Sequence, residues 1–149
     1  MDINIDIILI ELDQYLPKYK NQISLQGVKG IEDPFYGTGR ITEINHTEEE
    51  FTEFNFVLPY TNQVIRDLGM YRTRVMKMDP KTCYTYHQDY TRRMHIPLVT
   101  NENCFFVVDD EVVRTPANGN HYLIDTTKKH TFVNASLEER IHIVGCIND

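Results

Sequence analysis

Hydrophobic and polar positions change rhythm near the middle of this 149-residue chain. In the first half, Ile8, Leu12, Tyr15, Leu16 and Tyr19 recur at helical spacing, which predicts a helix over 8–19. Pro17 argues for an early stop or a kink there. Between 21 and 41 the pattern is mixed and punctuated by Gly27, Gly30, Gly37 and Gly39, which predicts short strands and loops. Thr47 precedes three glutamates and can cap a short helix. Residues 51–58 read as a strand, and 59–68 as a short helix closed near Gly69.

From 70 onward the period is two. Tyr71, Thr73, Val75 and Lys77 alternate with Arg72, Arg74, Met76 and Met78. Short segments follow at 93–99, 104–108, 112–115, 121–125, 131–133 and 140–146, each rich in β-branched or aromatic residues. Turn chemistry separates them at Asp79-Pro80, Asn101-Glu102-Asn103, Asp109-Asp110 and Asn118-Gly119-Asn120. Seven or so strands at this spacing predict a mainly β protein, an antiparallel jelly roll or small barrel with a few flanking helices. No helix-length segment separates these strands, which excludes alternating β and α units. With no repeat or linker, the expectation is one domain over 1–149: a helix/strand part at 1–69 and a jelly-roll core at 70–147.

Composition narrows the classes. Net charge is −7 and the isoelectric point about 5.3, against a nucleic-acid partner, which normally meets a basic patch. No apolar window is long enough for a membrane span. Asp2, Asp6 and Glu11 interrupt the apolar start, so no signal peptide is expected. Cys83, Cys104 and Cys146 form no C-x-x-C pair, which fits a reduced, cytoplasmic setting.

The chemistry concentrates in the second half. His87 and Asp89 are two apart, so in an extended segment both point to one side. An H-x-D pair occurs often by chance, and the same residues serve as a polar surface turn between Tyr86 and Tyr90. Here a preceding strand, the distant His130 and an arginine ten residues later, Arg140, give it context. Two imidazoles and one carboxylate can occupy one face of an octahedral metal, as in non-haem Fe(II) oxygenases. His121, after a tight turn, is the rival third ligand; His130 is preferred because the Arg140 spacing belongs to it. His46 lies in an acidic loop and is expected to be solvated.

Arg140 supplies a clamp for an anionic co-substrate such as 2-oxoglutarate. Arg93 and His95 share one face of their predicted strand, with Met94, Ile96 and Leu98 on the other. Arg140 and His142 repeat the arrangement against Ile141 and Ile143. Basic pairs inside otherwise apolar strands are costly unless they meet an anion, and one dicarboxylate between the strands would satisfy both. Pairing with outer acidic residues is the plainer alternative. Tyr84, Tyr86, Tyr90 and Arg92 flank the ligand pair and could line a substrate pocket. Arg72 and Arg74 are further candidates for a substrate carboxylate.

The run from Arg93 to Asn101 (Arg93-Met94-His95-Ile96-Pro97-Leu98-Val99-Thr100-Asn101), together with His87-x-Asp89, His130-x-x-x-Asn134 and Arg140-Ile141-His142-Ile143-Val144, resembles the aspartyl/asparaginyl β-hydroxylase family of Fe(II)- and 2-oxoglutarate-dependent dioxygenases. The resemblance spans about 72–146. It implies a double-stranded β-helix, the cupin-like jelly roll. It implies His87, Asp89 and His130 as iron ligands and Arg140 on the distal carboxylate of 2-oxoglutarate, with Arg93 and His95 near its C1 carboxylate. Animal members carry glycine at the acidic position. Asp89 makes this chain more similar to bacterial members and to proline cis-4-hydroxylases. The activity so implied is hydroxylation of an amino acid, or of an amino-acid residue in a peptide or protein, with succinate and CO2 as co-products. A cupin-like protein that holds a metal or small anion without turnover is the alternative from a different class. A zinc-dependent hydrolase or isomerase on the same barrel is a third, though it leaves Arg140 without a task.

Overall fold

The strands of the second half pair as one long hairpin that has wrapped over on itself. The computed structural model describes residues 2–16 and 21–148. Among them are two helices, α1 (Ile5–Leu12) and α2 (Pro59–Asp67), and eleven strands. The first three strands are short: β1 (Gln22–Ser24), β2 (Gln26–Gly27) and β3 (Glu53–Phe54). The rest are β4 (Met70–Met78), β5 (Thr82–Cys83), β6 (Arg93–Val99), β7 (Cys104–Val108), β8 (Glu111–Val113), β9 (Tyr122–Ile124), β10 (His130–Asn134) and β11 (Arg140–Ile147). Antiparallel pairs run inward from the ends of this unit: β4 with β11, β5 with β10, β6 with β9, β7 with β8. Two further antiparallel pairs, β6 with β11 and β7 with β10, close the winding. Two sheets result, in the orders β1-β4-β11-β6-β9 and β5-β10-β7-β8. This is the jelly-roll winding expected from the period-two pattern.

The alternation in β6 and β11 decides where the core sits. Met94, Ile96, Leu98, Ile141 and Ile143 join Val75 on the outer face of the five-stranded sheet, where Ile8 and Leu12 of α1 and Val64 and Ile65 of α2 cover them. The space between the sheets holds a smaller apolar cluster of Met78, Cys104, Phe106, Ile124 and Phe132. Beside that cluster Arg74, Arg93, His95, Arg140 and His142 are all buried. The fold thus puts its main apolar mass outside the larger sheet and keeps the inter-sheet space for charge.

Several boundaries differ from the sequence reading. Helix α1 begins at Ile5 rather than 8, because the Asn4 side chain accepts the Ile7 N–H at 3.3 Å and caps it there. It ends at Leu12; Tyr15 instead packs on the Phe56 ring, and Pro17 and Tyr19 lie outside the described residues. The strand expected over 51–58 shrinks to Glu53–Phe54, which pairs with Gln26–Gly27. Thr47 does occupy the cap of a 3-10 turn at Glu48–Glu50, but its own N–H donates to the Glu50 carboxylate at 2.6 Å. Helix α2 lacks a side-chain cap of its own. The Glu11 carboxylate serves from α1, accepting the N–H groups of Tyr60 and Thr61 at 2.9 and 2.8 Å.

The alternation in β4 also breaks, at its start. A bulge in β4, where Arg72 and Thr73 oppose the single Gly145 of β11, shifts the register, and Arg72 sits at φ +49°. Met70 therefore turns to the helix-covered face, although strict parity groups it with Arg74. A Cβ at Gly145 would come within 2.7 Å of both Met70 Cε and Thr73 Cγ2, so a larger residue would have to displace these side chains.

Candidate metal centre

The segment after β5 leaves the sheet but keeps zipping along β10. Tyr84 N–H donates to Phe132 O at 3.1 Å. His87 and His130 then exchange both backbone hydrogen bonds, at 2.9 and 2.8 Å, so they stand directly opposite each other. Their rings lie 4.4 Å apart. Asp89, two residues on, donates its N–H to Thr126 O at 2.8 Å, which returns its carboxylate to the same side. The structure thus brings together the three residues that the sequence singled out. One donor atom from each of His87, Asp89 and His130 lies within 4.8 Å of the others.

Ring orientation tells what these imidazoles can do. His87 Nδ1 meets Thr85 O at 2.6 Å and His130 Nδ1 meets Lys128 O at 2.9 Å. A carbonyl only accepts, so each Nδ1 carries the proton and each Nε2 of the neutral ring keeps its lone pair. Both Nε2 atoms face Asp89, at 3.7 Å from Oδ1 for His87 and 3.4 Å from Oδ2 for His130. Backbone carbonyls that fix the tautomer are the usual outer partners of metal-bound histidine. Burial alone would raise the Asp89 carboxyl, but the His130 hydrogen bond and the Arg93, His130 and His87 charges hold it below the usual carboxylate range. For His130 burial works downward, yet Asp89 and the Lys128 carbonyl lift it above the usual imidazole value. The trio thus sets two imidazole lone pairs around one ionised carboxylate, and two nitrogens with one oxygen suit a divalent first-row metal. Exposure grades from His87 at 37% through Asp89 at 25% to His130 at 6% of the side chain, so the cluster opens outward at His87.

Arg93 is placed differently from a free anion clamp. Its Nε lies 3.7 Å from Asp89 Oδ2, while Nη1 meets Glu48 Oε2 at 2.7 Å and also reaches Thr91 and Cys146. The same Glu48 oxygen takes Arg72 Nη1 at 2.7 Å. Arg72 Nη2 further donates to Gly37 O at 3.0 Å and Gly39 O at 2.6 Å, which explains how its left-handed backbone is held. Burial raises the Glu48 carboxyl, but Arg93 and Arg72 outweigh it and hold the group ionised. Glu48 is the residue that sequence reasoning missed. It sits in an acidic run that looks solvated, and nothing local distinguishes it from Glu49 or Glu50. Glu48→Ala would strand two buried guanidinium groups, so a loss of about 3–5 kcal/mol of stability is expected in urea denaturation.

Deeper between the sheets, Arg140 is 1% exposed and its guanidinium lies 4.2 Å over the Phe132 ring. Burial pulls it down to about 10, opposed chiefly by the electrostatic pull of nearby Tyr84. Tyr84 is therefore a wall of this space. Tyr86 instead bonds Asp110, and Tyr90 is 88% exposed. Arg74 is likewise buried beside Arg72 and Arg93, which with burial pull it down to about 9; its Nη1 donates to Gln22 at 3.1 Å. His95 and His142 meet Nδ1 to Nδ1 at 3.0 Å. Burial first, then Arg140, pushes both imidazoles well below their ordinary value. Two candidates fall outside the centre. His121 is not part of the cluster, and its Nδ1 is buried without a partner. His46, expected to be solvated, is held by the Tyr36 hydroxyl at 2.5 Å.

The buried imidazoles carry a pH signature. Unfolded histidine titrates near pH 6.5, whereas folded His95 and His142 stay neutral to lower pH. Below about 6.5 the unfolded chain therefore binds more protons, and stability falls as pH falls, by up to about 1.4 kcal/mol per pH unit for each ring. His130, lifted by Asp89, works in the opposite direction. The difference between wild type and His142→Phe isolates one ring: the variant should lose less stability between pH 7 and 5.5. Equal slopes in urea denaturation would contradict the burial.

A shallow depression of about 450 Å³, lined by Gln26, Phe54, Arg66 and Asn148 among others, contains none of the cluster residues. Among the described residues no helix is long and apolar enough to cross a membrane. Among curated proteins no sequence matches this chain. Three similar solved structures are a Photorhabdus luminescens protein, a Bordetella pertussis cupin domain and a Thermotoga maritima protein described as a predicted oxalate decarboxylase. The first is 16% identical over 52% of this chain and 62% of its own, with a TM-score of 0.43. The cupin domain is 15% identical over 52% and 81%, at 0.45. The third is 15% identical over 57% and 71%, at 0.44. The chain thus spans about three fifths of the Photorhabdus protein. The family model for aspartyl/asparaginyl beta-hydroxylase matches residues 4–147, well beyond the motifs between 72 and 146, and the chain belongs to that family.

Proposed function

We propose that this protein is an Fe(II)- and 2-oxoglutarate-dependent dioxygenase acting on an unactivated C–H of an amino acid, or of an amino-acid residue in a peptide or protein. The reaction balances as R–H plus 2-oxoglutarate plus O2, giving R–OH, succinate and CO2. When bound, Fe(II) supplies the oxygen activation that couples these two oxidations. The single observation that carries this reading is the pairing of a His-Asp-His cluster with a buried, underpaired arginine on β11 of the facing sheet. A metal-only protein has no use for Arg140 in that place.

Within this reading each residue has a task. His87, Asp89 and His130 hold the metal, their tautomers fixed by Thr85 O and Lys128 O. Arg140 binds the distal carboxylate of the co-substrate against Phe132. His95 and Arg93, on the strand beside β11, border its C1 end. Arg93 also orients Asp89, and Glu48 orients Arg93. The apolar Phe106 and Phe132 rings exclude water from the inter-sheet space, which strengthens each charge contact there. Burial of reactive groups at a cost in stability is expected of such a site.

Purified protein given Fe(II), ascorbate and 2-oxoglutarate in air should form succinate, at least slowly, without added substrate. His87→Ala should abolish it. A screen of free amino acids and short peptides should then find one that gains a single oxygen by mass. Succinate formation that persists in the variant or without oxygen contradicts the proposal.

A further inference from the structure

Arg74 Nε, Arg140 Nε and His142 Nε2, all between the sheets, are sealed from water and lack any hydrogen-bond partner, and the last two sit on one strand. Such atoms are uncommon in folded proteins and call for an explanation. The two on β11 share more than their condition. Arg140 and His142 are two apart on β11, opposite Met78 and Met76 of β4, so both side chains leave the same face. Both lie against Phe132, the guanidinium over the ring at 4.2 Å and the imidazole edge-on at 5.4 Å. His142 is 0% exposed and Arg140 1%.

The His95 contact limits what His142 can offer. The two Nδ1 atoms lie 3.0 Å apart, so one donates and the other accepts. If His142 donates from Nδ1, its Nε2 is a bare lone pair beside a cation. If His95 donates, His142 carries its proton on Nε2 and becomes a neutral donor next to Arg140. Either form leaves Nε2 unpaired in the protein alone. The group that satisfies Arg140 Nε and His142 Nε2 together has two acceptor oxygens and a negative charge, which is a carboxylate.

We infer that His142 is a second donor for the carboxylate held by Arg140, giving it an Nε2–H while His95 fixes that tautomer from Nδ1. This rests on the co-substrate reading above and adds to it a residue that selects the ligand. An arginine alone accepts many anions; an arginine with a fixed N–H beside it reads both oxygens of one carboxylate. His95 thus has a positioning role here, acting through His142.

The test is 2-oxoglutarate binding to the Zn(II)-loaded protein, measured by calorimetry so that no turnover intervenes. His142→Phe keeps the ring shape and removes the donor; its Kd should rise on the order of tenfold or more, as for a lost hydrogen bond to a charged group. His142→Gln, which retains an N–H, should recover most of that loss. Nitrogen-15 spectra of the wild-type complex give a readout independent of any variant: His142 should carry its proton on Nε2. Unchanged affinity in His142→Phe, or a proton on Nδ1 in the complex, overturns the inference while leaving the co-substrate reading intact. Wild-type protein that fails to bind 2-oxoglutarate overturns both.

Discussion

Arg140→Met is expected to make the ligand-free protein at least as stable as wild type while removing 2-oxoglutarate binding. The side chain is 1% exposed, its Nε has no partner, and burial already disfavours its charge. Methionine keeps the packing on Phe132 without that cost. Replacing buried charged groups by apolar ones of similar volume is often neutral or stabilising by about 1–4 kcal/mol. For a chain of this length each kcal/mol moves Tm by roughly 2–4 °C. Binding should move the other way. Deleting one partner of a desolvated charge pair costs about 2–5 kcal/mol, or roughly 30- to 5,000-fold in Kd. Thermal melts with and without 2-oxoglutarate read both effects. A variant that is strongly destabilised yet binds normally would show that Arg140 serves the fold and not the ligand.

Asp89→Asn should be the other large effect. The amide keeps the shape of the side chain and removes its charge. Wild-type Asp89 stays ionised because His130, Arg93 and His87 surround it. A neutral amide offers a divalent ion far less, so metal affinity should fall by about 100-fold or more, at or beyond the 10- to 100-fold expected from losing an outer partner. Succinate formation should fall with it. The backbone bonds Asp89 N–H to Thr126 O and His87 to His130 do not involve the carboxylate, so the fold should survive. Equilibrium dialysis against Mn(II) checks this, and unchanged affinity would remove Asp89 from the centre.

How much of this was legible in the chain depends on how local the signal is. Alternation in 93–99 and 140–146 marks the buried faces of β6 and β11 directly, and the structure keeps that parity. The His87-Asp89 pair was readable because an extended segment puts i and i+2 together. His130 needed the distant Arg140 for context, since pairing across β10 is non-local. The first half yielded less. Strands β1, β2 and β3 are two or three residues long, and β1 becomes a strand only by pairing with β4, some fifty residues away. The cap on α2 comes from Glu11, and the partner of Arg93 is Glu48. Both are glutamates in polar surroundings whose role is set by tertiary contact alone. The bulge at Arg72–Thr73 in β4 flips Met70 to the other face, which no period-two reading can anticipate. Tyr84 was named beside the ligands, but its nearness to Arg140 depends on how the chain leaves β5.

Functional cost and fold stability meet at the same residues. The inter-sheet space carries Arg74, Arg93, Arg140, His95 and His142 where an optimised core would be apolar. The helix-covered face of the larger sheet, with Ile8, Ile65, Val75, Ile96 and Ile143 essentially inaccessible, supplies the offset. Division of labour between the two faces is what lets one short chain hold so many buried cations.

The most direct measurement is a titration of metal-free protein with Mn(II), following the free ion by electron paramagnetic resonance. One tight site per chain is expected, lost when either His87 or His130 is replaced by alanine. Binding that is absent from the wild type, or that persists unchanged in either variant, would contradict the metal centre.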